Sequence, residues 1–188
     1  MEEAALMVFA RQEITIPLSI LDEALREGSL PARFGVRTAG DATEAELQSR
    51  EWDAAFLRWQ QPELHDVLLL ERQVLGDDDE AEVALRNAQA YAASLPLSGG
   101  KLLIEEQLRE TTVIYALYTL PALVTNDDHP AWDALNLLLC AIAIHTEGII
   151  YAVEEGFYDS DGEPMVIEVD LKYDWERDSL EEELEEEV

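Results

Sequence analysis

Apolar positions recur along this chain in two rhythms. In the first third the rhythm is helical. After Thr15-Ile16-Pro17, residues Leu18, Leu21 and Leu25 fall three or four apart and Gly28 follows them. That spacing predicts a helix opening at Pro17 and stopping at Gly28. Proline suits a first turn, where the N–H it lacks has no partner anyway. Thr43 and Glu46 stand at capping-box spacing. Beyond them Trp52, Ala55, Phe56 and Trp59 recur at helical intervals, which predicts a second helix with an aromatic core stripe, ended by Pro62. Ala5–Ala10 reads as a short strand or helix end. Residues 28–40, with three glycines and Pro31, read as an irregular link.

From Val67 the rhythm alternates between strand and helix. Val67–Val74 is a strand, and Gly76-Asp77-Asp78-Asp79 turns the chain into a helix over Glu80–Leu95 that buries Ala84, Ala88, Tyr91 and Leu95. Pro96–Gly100 is a loop, and Leu102–Glu110 and Thr112–Leu120 read as two successive strands. Asn126-Asp127-Asp128-His129-Pro130 opens a helix to Thr146. Between Ala134 and Ile144 only Asn136 is polar, which predicts burial nearly all round. Ile149–Val153 is a strand, Asp159-Ser160-Asp161-Gly162 a turn, and Met165–Val169 a final strand.

The expected architecture is α+β: an antiparallel sheet with helices on one face, in ferredoxin-like βαββαβ order over residues 67–153. Residues 1–173 are expected to form one domain, mostly helical over 1–66 with the sheet-and-helix core over 67–173. An acidic tail, 174–188, follows.

Charge narrows the function. Asp and Glu number 42 against 12 Lys and Arg, a net −30 and a pI near 4.1. Such a surface repels phosphate backbones and anionic lipid, so no direct nucleic-acid or membrane partner is expected. From Asp174 onward there are nine acidic residues and one arginine. No apolar run has the ~18–20 residues of a membrane helix, and Met1-Glu2-Glu3 lacks the basic start of a secretory signal. A cytoplasmic location is the expectation. Apolar residues make up 48% of the chain, enough for a sizeable core.

The motifs of catalysis are missing. There is no HExxH, CxxC or GxSxG. Gly99-Gly100-Lys101 reads as leading into a strand, whereas a phosphate cradle leads into a helix. The lone Cys140 lies among Leu137, Leu138, Leu139 and Ile142, where burial raises a thiol pKa and leaves it inert. Asp159-Ser160-Asp161-Gly162 followed by Glu168 does not match a calcium loop: glycine is fourth and Glu168 tenth, where the sixth and twelfth positions are required. His65, His129 and His145, with Glu147 or Asp128, are the remaining metal candidates, at spacings that follow no metal motif. The stretch His145-Thr146-Glu147-Gly148-Ile149-Ile150-Tyr151 reads as a helix turning through Gly148 into a strand. No catalytic, cofactor or metal residue is therefore assigned.

The leading expectation is a non-catalytic acidic binding or regulatory protein that engages a basic protein partner by charge complementarity. Mimicry of the DNA charge lattice ranks lower, because it needs carboxylates arrayed along an elongated surface. The second reading is an enzyme or a small-molecule or metal binder built from dispersed histidines and carboxylates. The third is a homo-oligomeric structural protein joined through the helix Ala134–Ile144.

Overall fold

A computed structural model describes residues 6–11, 15–36, 40–126 and 128–166. Seven strands among them form one antiparallel sheet: β1 (Leu6–Ala10), β2 (Ala32–Gly35), β3 (Ala54–Trp59), β4 (His65–Val74), β5 (Val113–Thr119), β6 (Ile149–Ala152) and β7 (Gly156–Tyr158). The spatial order is β2-β3-β4-β5-β1-β6-β7. The expected α+β class with an antiparallel sheet is thus observed.

The finer topology differs. The short segment at the N-terminal side is an interior strand of the sheet: Phe9 of β1 stands between Ile114 of β5 and Ile149 of β6. Successive side chains of a strand point to opposite faces, and β1 feeds two cores. Val8 and Ala10 pack with α1 (Leu18–Glu27) and α6 (Ala131–Thr146), while Met7 and Phe9 pack with α3 (Asp79–Ser94) and α4 (Gly99–Arg109). Helices therefore cover both faces, not one. The ferredoxin-like order fails for the same reason, since β1 occupies the place between β5 and β6, and for a second one in α4.

Leu102–Glu110, expected as a strand, belongs to α4. Ser98 accepts the Lys101 N–H at 3.1 Å as an N-cap, and Ile104, Gln107 and Leu108 are the buried positions, a helical period. The Lys101 ammonium turns back onto the Ala93 and Leu95 carbonyls that α3 leaves open, at 2.8 and 2.9 Å. Gly100 is required in the first turn of α4 because a carbonyl crosses it: a Cβ there would overlap the Met165 oxygen.

The aromatic stripe of residues 52–59 is corrected too. Thr43 and Glu46 do form a reciprocal capping box, but their helix, α2 (Glu44–Gln48), ends after five residues. Ala55, Leu57 and Trp59 then alternate into the core as β3. Residues 6–66, expected to be mostly helical, thus supply three strands: β3 stands where a helix was expected, β2 within the expected irregular link, and β1 where a short strand or helix end was expected. In α6, Asn136 and Ile144 are solvent-exposed, so this helix is amphipathic and not buried all round. It packs on α1, β1 and β6, which leaves Leu137, Cys140 and Ala141 of its apolar run half-buried.

Other expectations hold. α1 lies between Pro17 and Gly28 as its caps, α3 is capped by Asp78 with acid in its first turn, and Gly148 carries α6 into β6 after the left-handed Glu147 (φ 50°). Asp159 closes the hairpin turn by accepting the Asp161 and Glu163 N–H groups at 2.9 and 3.0 Å. The last expected strand is described only to Val166, and the tail 174–188 lies outside the described residues.

A histidine–tryptophan junction as candidate functional site

Two of the three histidines meet. β3 and β4 pair so that Trp59 stands opposite His65 at one end of the sheet. The start of α6 lies over that end because α5 (Pro121–Val124) packs on β4 and Leu120 donates its N–H to the Val67 carbonyl at 2.9 Å. His129, just before α6, thereby sits edge-on to both rings, its centroid 5.4 Å from Trp59 and 5.6 Å from His65. Trp59 is buried, and both histidines are half-buried. The Trp132 indole N–H donates to the Asn126 carbonyl at 3.3 Å, pinning the loop that carries His129.

The hydrogen bonds fix the protons. The Ala131 N–H donates to His129 Nδ1 at 3.0 Å, so a neutral His129 carries its hydrogen on Nε2. His65 Nδ1 lies 2.7 Å from the Glu63 carbonyl oxygen, which only accepts, so its hydrogen is on Nδ1. A metal on His129 Nε2 would require moving that proton to Nδ1, against the Ala131 N–H. His145 lies in the last turn of α6, sixteen residues from His129 or about 24 Å at 1.5 Å per residue. Asp128 and Glu147 are exposed at opposite ends of the same helix. The described residues contain no cluster of three or more His, Cys, Asp or Glu able to hold a metal.

His129 accepts a backbone N–H at the start of α6, two residues ahead of it, a role only its neutral form fills. Burial, and then the neighbouring His65, lower its pKa from the ordinary value. The unfolded chain, with a value near 6.5, binds more protons between the two pKa values. Stability from this group is fully present above about pH 6.5 and is lost as the pH falls through the folded value. His129→Asn keeps an acceptor for the Ala131 N–H and removes the titration. Urea unfolding between pH 7.5 and 5.5 should show a smaller acid loss in that variant than in the parent chain; equal losses would discard the assignment.

The other chemical candidates resolve individually. Gly99-Gly100-Lys101 does lead into a helix, contrary to expectation, yet Lys101 is occupied with the end of α3 and the Met165 carbonyl crosses Gly100. Cys140 is half-buried against the Asp159–Gly162 turn; burial first, then Asp161 and Asp159, raise its pKa. Tyr118, pushed up to about 12 by burial and then Glu71, stays a phenol at neutral pH and accepts from Gln73 Nε2 at 3.3 Å. Among the described carboxylates Asp22 is buried, and it pairs with Arg26. No described helix is long and apolar enough to cross a membrane.

Sequence reasoning named His65 and His129 but missed their partners. Trp59 was assigned to a helix, which hides its pairing with His65. Gln107, buried in α4, donates from Nε2 to the Phe9 and Glu147 carbonyls at 3.1 and 3.0 Å and ties β1 to the end of α6. Comparison of the chain with family models, curated proteins and solved structures returns no match.

Proposed function

We propose that this protein is a non-catalytic, cytoplasmic binding or regulatory protein that engages a basic protein partner. One observation carries the reading: the acid is on the outside and largely uncompensated. Asp41, Glu44, Glu51 and Asp53 around α2, Asp77, Asp79 and Glu80 at the start of α3, Glu106 and Glu110 on α4, and Glu154, Glu155, Asp161 and Glu163 around β7 are all exposed. Against them, six ion pairs join described residues, four of which engage well-exposed acids of limited worth: Glu110, Asp53, Glu82 and Glu105. A field of this sign draws a cationic surface in and speeds encounter. The carboxylates lie on several elements of the fold and not along one stripe, which counts against mimicry of DNA.

Affinity capture from native extract at low and moderate salt tests the reading. Basic proteins should be retained beyond those held by an unrelated protein of equal net charge, and parity between the two would refute it. The tail makes a separate contribution. Removing residues beyond Ser179 should lower affinity for the captured partner most at low salt, because exposed charge acts mainly at long range and is screened beyond about 8–10 Å in physiological buffer. Thermal unfolding of the truncated chain should be nearly unchanged. A collapse in stability would mean instead that these residues support the fold.

A further inference from the structure

We propose that the end of the β3–β4 hairpin and the loop entering α6 form the docking surface for a basic protein segment that also carries an apolar side chain. The inference rests on the proposed binding role and gives it a location.

Three observations converge there. First, large apolar groups face solvent: Leu64 is 63% exposed in the hairpin and Val124 is 55% exposed at the end of α5. Half-buried Trp132 extends this apolar ground, and the two imidazole rings stand beside it. Exposed apolar ground of this kind marks a contact surface, and Trp132 is of the residue type on which interface energy concentrates. Its base is rigid because Trp59 is packed beneath and the His129 and Trp132 rings are hydrogen-bonded to backbone.

Second, the rim is acidic. Glu63, Asp128 and Asp133 are exposed around the patch. The segments 59–66 and 120–136 contain no lysine or arginine at all. Arg58, next to Trp59 along β3, lies buried and bonds Asp66 at 3.0 Å. Apolar centre and carboxylate rim together match a segment presenting a leucine-like side chain flanked by lysine or arginine.

Third, a second copy of this chain fits poorly. It would bring the same acidic rim against itself in a molecule of net −30.

Two synthetic probes test the surface on the full chain: a short peptide alternating lysine and leucine, and one alternating lysine and serine with equal charge. The lysine–leucine peptide should bind more tightly and shift the nuclear resonances of His65, His129 and the Trp132 indole. Leu64→Glu separates the terms, because it adds attraction for a cation while deleting apolar ground. It should weaken the lysine–leucine peptide about tenfold. Val124→Ser, at a second exposed position, should weaken it in the same direction. Equal binding of both peptides, or a Leu64→Glu chain that binds as tightly or more tightly, overturns the proposal. So does a concentration-dependent dimer that Leu64→Glu abolishes. If binding disappears on removing residues beyond Ser179 while Leu64→Glu is harmless, this surface is wrong and the basic-partner reading stands. If neither peptide binds at low salt, the basic-partner reading itself falls.

Discussion

Phe9→Ala should destabilise the protein by about 3–5 kcal/mol, the usual cost of truncating a buried phenylalanine. Phe9 is fully buried on an interior strand, and its ring packs 6.1 Å from that of Tyr151 in the core under α3 and α4. Its backbone is held by β5 and β6 together, so the cavity cannot be closed by shifting an edge strand. The midpoint of urea unfolding gives the measurement, with Phe56→Ala as its contrast. Phe56, half-buried on β3, belongs to neither core and should cost far less. Comparable losses at the two positions would contradict the placement of β1 between β5 and β6.

The second large effect is expected from a single added methyl. Gly148→Ala places a Cβ 2.8 Å from Val8 Cγ1 and 2.9 Å from both the Phe9 oxygen and Thr146 Oγ1. Two of these neighbours are fully buried, and the third is a sheet carbonyl that also accepts from Gln107, so none yields easily. Overpacking of this kind costs typically about 1–3 kcal/mol. Relief would come by moving β1 away from the end of α6, at the expense of the Gln107 bonds. Calorimetric unfolding of the variant reports the loss. A melting temperature equal to that of the parent chain would show that the corner is looser than these distances state.

What the sequence made legible was mostly local. The capping box at Thr43, the acidic start of α3 and the turn at Asp159 are each set by residues within four positions of one another, and each is found where spacing put it. Errors arose where two periods fit one set of residues. Trp52, Ala55, Phe56 and Trp59 satisfy a helical interval, but Ala55, Leu57 and Trp59 also satisfy a strand, and pairing with β2 and β4 decides between them. In α4 the glycine pair and the leucines disguised a helix whose evident start signal was Ser98. The role of β1 was not readable in five residues, because what makes it interior lies in partners far along the chain. The candidate site was half legible for the same reason: His65 and His129 could be named, whereas their meeting depends on α5 and α6 returning across β4.

That distance along the chain has a consequence for biosynthesis. Ala10 pairs with Val113, and Leu6 with Ala152. Translation proceeds at about 5–20 residues per second, so β1 emerges roughly 5–20 s before the first residues able to hydrogen-bond to it. During that interval Leu6–Ala10 is an apolar strand with neither flank satisfied, the kind of segment other nascent chains can pair with. The strand that organises the finished sheet is thus the one most exposed while the sheet is being made. Delaying chaperone release until β5 has been synthesised would protect it, and slow codons placed between α4 and β5 would prolong its risk.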